Sequence, residues 1–172
     1  MTEGSTSSLT LRRYRDLDLD AVWTLHVLGL EQFGANAGHG PWDDDLKRIG
    51  DVYLSSGGDF LMGELKGRVV AMGGVRPTSA TRAELKRMRV HPDFQRRGFG
   101  QLILDALERR ARDLSFRTLH LDTTVSQIPA QRLYLKNGFQ EVGRGRLGGL
   151  DSILYEKDIS EDSPRVWMSN DD

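Results

Sequence analysis

The chain has 172 residues, a formal net charge of −1 and no cysteine. That length suits one domain with a sizeable core, and the charge balance argues against nucleic-acid binding by bulk charge, though not against a local basic patch. Without cysteine there is no disulfide, thiolate zinc site or cysteine nucleophile; the chain fits the reducing cytosol, no apolar stretch approaches the roughly 20 residues of a membrane span, and the opening MTEGSTSS lacks a signal-peptide layout.

Residues 1–8 and the acidic end 160–172 read as flexible tails, which leaves 9–159 as the expected domain. LTLRRYR (9–15) reads as a first strand. In DLDLDAVWTLHVLGL, Leu19, Val22, Leu25 and Leu28 fall at helical spacing, with Asp16 or Asp18 as cap. GANAGHGP breaks the chain, and a second helix is expected from near Trp42, with Asp43, Asp44 and Asp45 in its first turn. GGDFLMGEL and GRVVAMGGVRP read as strands joined by the tight turn Lys66-Gly67, and TRAELKRMRVHP continues an antiparallel meander.

From Phe99 the period changes. Leu102, Ile103, Ala106, Leu107, Ala111 and Leu114 mark one face of a helix about four turns long. RTLHLDTT is then a short strand, so strand, crossover helix and strand form a right-handed parallel pair. A last helix is expected over 126–137, capped by Ser126, tolerant of Pro129 in its first turn and stopped by Gly138. FQEVGRGR and LDSILYEKDI close the domain as a hairpin. The expected fold is α+β: a mixed, mostly antiparallel sheet of six to seven strands with helices on both faces, in the order β-α-α-β-β-β-α-β-α-β-β.

HPDFQRRGFGQLIL (91–104) sits between a strand and a helix. Glycines there allow close backbone approach to a ligand, the helix start points free N–H groups at it, and Arg96 and Arg97 add positive charge, so the expected guest is an anion such as a pyrophosphate. A Walker loop needs Gly-Lys-Ser/Thr after its second glycine, where Phe99-Gly100-Gln101 stands. A dinucleotide fingerprint has Gly98 and Gly100 and an acid, Asp122, at a strand end, but Ile103 occupies its third glycine position. LKRMRV is also half charged, unlike a doubly wound core strand.

Gln95-Arg96-Arg97-Gly98-Phe99-Gly100 resembles the Gln/Arg-x-x-Gly-x-Gly/Ala signature of the GNAT superfamily of N-acetyltransferases, whose loop binds the pyrophosphate of acetyl-CoA. QIPAQRLYLKNGF (127–139) is similar to the second landmark of that family, with Gln127 where asparagine is usual. The resemblance covers about Leu9 to Ile159 and implies acetyl-CoA as co-substrate. It also implies a cofactor site formed by Met88, Arg89, Val90, Gln95, Arg96, Arg97, Gly98, Phe99, Gly100, Gln101, Gln127 and Ala130. Backbone groups of Met88 and Val90 would hold the pantetheine arm like an added strand.

Acyl transfer to an amine needs a base, because an alkylamine titrates near about 10, donors for the carbonyl oxygen, and a hydrogen bond or proton for the thiolate. Glu84 is the only acid on the strand facing the thioester, and the resemblance makes it the base, acting through water; an ion pair with a neighbouring cation is the plainer reading. On a regular strand Glu84, Lys86, Met88 and Val90 share one face, opposite Leu85, Arg87 and Arg89, unless a bulge reshuffles them. Tyr134 is the candidate acid, with a core tyrosine as its alternative.

The histidines offer no metal-ligand spacing: His26 lies in a helical pattern, His39 in a glycine-rich loop, His120 between leucines, and His91 at a strand end. By resemblance the segment FGANAGHGPWDDD (33–45) lines the acceptor site. Trp42 and its aspartates can hold a cationic amine, but acids serving a helix dipole are the preferred explanation. The expected protein is thus an N-acetyltransferase acting by direct attack in a ternary complex on a small-molecule or peptide amine. It needs no metal, nucleic acid or membrane, and a homodimer is allowed. The alternative is a non-catalytic CoA-binding module.

Overall fold

The computed structural model describes residues 8–32, 34 and 41–160, with Trp42 in its backbone alone; residues 1–7 and 161–172 of the expected tails lie outside them, as does His39. Seven strands form one sheet in the order β1-β2-β3-β4-β5-β7-β6. They are β1 (Thr10–Arg13), β2 (Asp59–Leu65), β3 (Arg68–Pro77), β4 (Arg82–Val90), β5 (Thr118–Thr124), β6 (Gln140–Leu147) and β7 (Leu150–Asp158). The helices are α1 (Leu19–Glu31), α2 (Phe99–Asp113) and α3 (Ile128–Lys136). The meander β2-β3-β4 forms as expected: Lys66 and Gly67 both take positive φ, 51° and 79°, as a tight hairpin turn of matching twist requires. Only β4 and β5 run parallel. No helix among the described residues is long and apolar enough to cross a membrane.

Two apolar layers cover the sheet. One packs Ile103, Leu104, Leu107 and Ala111 of α2 and Tyr134 of α3 on Ala83, Leu85, Leu119 and Leu121. The other packs Val22 and Leu25 of α1 with Leu46, Ile49 and Tyr53 on Phe60, Met62 and Met72. The buried stripe of α2 includes Leu104, whereas the expected Leu102 is 44% exposed. Ile103, Leu107 and Ala111 recur every fourth residue with Leu104 alongside, and Leu102 falls outside that arc.

Three further expectations are corrected. No second α-helix begins near Trp42; Pro41–Lys47 is a 3-10 turn and Gly50–Leu54 a π-type turn. The Asp18 side chain does not cap α1, because it accepts from Arg12 at 2.7 Å and from the Arg15 N–H at 2.8 Å. Helix α3 starts after Gln127 rather than at Ser126, whose hydroxyl lies 3.3 Å from that of Thr124.

The strand pair β4–β5 sets up the site. It is in register only from Arg82–Thr118 to Glu84–His120, after which the strands separate. A bulge diverts β4 there: Met72 faces Arg89 and Gly74 faces Lys86, so Arg87 and Met88 together stand opposite Gly73. Arg87 takes φ 61° to do this. The expected alternation therefore breaks. Met88 and Val90 join Leu85 in packing on the α2 layer, while Arg87 turns toward Asp45 and Arg89 toward Gly29 of α1.

Candidate active site

Beyond Val90, His91 to Phe94 form a short turn in which His91 Nδ1 accepts from the Asp93 N–H at 3.1 Å. Gln95 anchors the start of the glycine-rich loop, donating to the Val90 carbonyl at 3.1 Å and exchanging amide hydrogen bonds with Gln32 at the end of α1. Arg96 (φ 63°) and Gly98 (φ 79°) are left-handed and Arg97 between them is not. Such alternation turns successive backbone N–H groups to one side as an anion cradle. Gly98 precedes the first turn of α2 with no side-chain cap, so the N–H groups of that turn stay open. A Cβ on Gly98 would meet nothing within 4 Å; what requires glycine here is its positive φ.

This loop forms one wall of a cleft of about 490 Å³ between α2 and α3. Met88, Arg89, Val90, Gln95, Arg96, Gly98, Phe99, Gly100, Gln101, Gln127 and Ala130 all line it. Arg97 does not: its guanidinium lies 5.2 Å from the Phe94 ring centroid. Gln127 is buried and donates to the Thr124 hydroxyl at 2.9 Å. Gln101 exchanges amide hydrogen bonds with Asn137, at 2.7 and 2.9 Å, tying the start of α2 to the end of α3.

At its inner end the cleft shares Met88, Arg89, Gln127, Ala130 and Tyr134 with a second cavity of about 150 Å³. Tyr134 is 5% exposed, with its ring 5.6 Å from Phe139 and 6.1 Å from Tyr155. Burial pushes its hydroxyl up to about 12, against an opposing pull from Arg89, so it is a neutral phenol able to donate. Arg89 crosses the sheet to α1; a Cβ on Gly29 would come within 2.6 Å of Arg89 Cδ, so the helix approaches this closely only because residue 29 is glycine. Its Nη1 donates to the Met88 carbonyl at 2.8 Å, while its Nε is buried without a hydrogen-bond partner. Burial, and then Arg87, lower its guanidinium to about 10.

The second cavity is lined from α1, the 41–47 turn, β4, β5, α3 and the end of β6, and its walls include His26, Asp43, Lys86, Arg87 and Asp122. The bulge delivers Arg87 to a buried network. It donates to Asp45 at 3.0 and 2.5 Å and to Asp43 at 3.3 Å. His26 lies 3.0 Å from Asp43, and the Tyr53 hydroxyl donates to Asp45 at 2.5 Å. Burial alone would raise the Asp45 carboxyl, but the Arg87 hydrogen bonds win and hold it at about 2. No α-helix starts here for three acids to serve: Asp44 is exposed, 3.8 Å from Lys47, while Asp43 and Asp45 are buried and pin the 41–47 turn to β4. His26 was legible only as part of a helical pattern, and nothing in its spacing marks its reach to Asp43.

Glu84 lies off both cavities' walls and accepts from Arg76 at 2.8 Å. Beside it on the same face, His120 contacts the Thr78 hydroxyl at 2.7 Å. Asp122 does line the second cavity; burial, then Glu84, raise its carboxyl above the ordinary range, with Lys86 opposing. Among the described residues no group of three potential metal ligands occurs.

The family model for the acetyltransferase (GNAT) family matches residues 23–139, more than half of the chain and all of the cleft-lining residues. The chain belongs to the GNAT family. Its fold is similar to that of a GNAT-family acetyltransferase from Staphylococcus aureus Mu50, with TM-score 0.81 at 21% identity, covering 88% of this chain and 99% of that one. It is also similar to YncA of Salmonella typhimurium, solved with its cofactor acetyl-CoA, with TM-score 0.72 at 19% identity over 90% of this chain and 96% of that one. Among curated GNAT relatives, the uncharacterized N-acetyltransferase YjgM of Escherichia coli K12 is 30% identical over 112 residues, 63% of this chain and 66% of that protein. The amino-acid acetyltransferase of Azotobacter vinelandii is 31% identical over 111 residues, 64% of this chain but 25% of that protein.

Proposed function

We propose that the protein moves an acetyl group from acetyl-CoA to a primary amine by direct attack in a ternary complex. One observation carries this reading: the separation of β4 from β5 joins two chambers that share Tyr134 as a wall. A CoA-binding module without turnover needs only the larger chamber, whereas two substrates that must meet at one carbon need both. The GNAT relationship supports the donor, since the similar YncA was solved with acetyl-CoA.

In this reading the open N–H groups at the start of α2 and the loop at 95–98 hold the pyrophosphate, and the bulge at Arg87 and Met88 leaves β4 free to pair with the pantetheine arm. The amine nitrogen attacks the thioester carbon, a C–N bond forms, the C–S bond breaks, and CoA leaves as a thiol. Tyr134, kept neutral by burial, donates to the departing sulfur. The amine proton leaves through water toward Glu84, which sits behind Asp122 and does not reach the cavity itself. The nearby Arg89 and Lys86 assist, because like charges favour the neutral amine.

Titration with acetyl-CoA, NADH and ATP in parallel, followed by amine-dependent thiol release, tests the proposal. Acetyl-CoA alone should bind, and Glu84→Gln should slow release by roughly 10²-fold, the low end for loss of a general base, with a displaced acid limb in the pH profile. Acetyl-CoA binding without release for any amine makes the chain a CoA-binding module. Full Glu84→Gln activity alongside a dead Asp122→Asn variant moves the base to Asp122.

A further inference from the structure

Two charges on the walls of the second cavity are left without partners once its ion pairs are assigned. Arg87 is bound by Asp43 and Asp45, Asp43 also meets His26, and Glu84 is bound by Arg76. Lys86 forms no hydrogen bond or ion pair with any described residue. The Asp122 side chain forms no hydrogen bond or ion pair with any other described residue. Asp122 feels the charge of Lys86, but the two are not in ion-pair contact, so each lines a half-dry cavity without a direct charged partner.

Their environments show the penalty. Burial, and then Arg87, lower the Lys86 ammonium, while burial, and then Glu84, raise the Asp122 carboxyl. A guest that spans the gap with an ammonium at one end and an acidic group at the other would relieve both at once. The volume, about 150 Å³, is below that of drug-sized pockets and suits a small molecule.

We infer that the acceptor is an amino acid-like small molecule, with its amine beside Asp122 and its carboxylate or comparable oxyanion on Lys86. This rests on the transferase reading above and names the class of its second substrate.

The test compares kcat/KM at saturating acetyl-CoA for α-amino acids, their primary amides and the matching aminophosphonates. The amide keeps the amine and the shape but loses the negative charge; the phosphonate arm separates a carboxylate site from a general oxyanion site. The acids should exceed the amides by roughly 10- to 100-fold, the range for hydrogen bonds to a charged group. Lys86→Met should bring that ratio to within a few-fold of one, and Lys86→Arg should restore most of it. Asp122→Asn should raise KM for the acids. Acetyl-CoA affinity and thermal unfolding, measured on each variant, separate loss of recognition from loss of fold. Amides or decarboxylated amines used as well as the acids, or a preference that survives Lys86→Met, overturns this inference while leaving acetyl transfer in place. Acetyl-CoA binding with no thiol release for any amine overturns both.

Discussion

The two chambers that meet at Tyr134 are built in opposite ways. The larger takes its decisive wall from one stretch of chain within 88–101 and works through backbone: open N–H groups and the left-handed Arg96 and Gly98. The smaller draws its charged side chains from α1, the 41–47 turn, β4 and β5, and works through buried charge. Backbone recognition tolerates much side-chain variation, because it depends on φ and on helix start. Recognition by buried charge depends on every partner being present, because one missing group strands another in a dry site.

That contrast can be broken first at Arg87. Arg87→Met should leave Asp43 and Asp45 buried without their shared cation and lower stability by about 3–5 kcal/mol, read by denaturant unfolding. Its pH dependence adds a second readout. The Asp45 carboxyl is held at about 2, below its ordinary 3.8, so its contribution is present above about pH 4 and is lost as pH falls toward 2. Without Arg87, burial alone should raise that carboxyl, and the variant's deficit should shrink on acidification. A deficit that does not change with pH would show that Arg87 acts by packing.

At the junction, Tyr134→Phe removes one hydroxyl and little volume. Single-turnover transfer should slow roughly ten- to a hundredfold, the weak end of general-acid effects, with acetyl-CoA affinity nearly unaltered. An unchanged chemical step would make Tyr134 a packing residue between Phe139 and Tyr155.

The smallest effect is expected on the backbone side. Gly98→Val places a branched residue at φ 79° and should raise the acetyl-CoA dissociation constant about tenfold, or about 1.4 kcal/mol. Gly57→Val, at φ 97° on an exposed turn away from both cavities, imposes similar local strain and should leave that constant alone. Equal weakening in both variants would trace the effect to lost stability rather than to the loop.

The amino-acid sequence by itself determined the order of the seven strands and three α-helices, though not the absence of a further helix near Trp42, together with the hairpin at Lys66-Gly67 and the phosphate-type loop, because each depends on neighbours a few residues apart: a period, a turn pair, glycines at a helix start. It also marked Tyr134, on a landmark read as contiguous residues. Tertiary structure alone decided the rest. The bulge that turns Arg87 and Met88 to opposite layers is a register mismatch against β3, which no local pattern in LKRMRV records. Asp43 and Arg87 are 44 positions apart, and their pairing overrode the simpler expectation of helix-dipole acids. Lys86 and Asp122 become candidate anchors for one guest only where β4 and β5 part, because opposite charges without direct partners acquire meaning only when the fold brings them to the wall of one half-buried cavity.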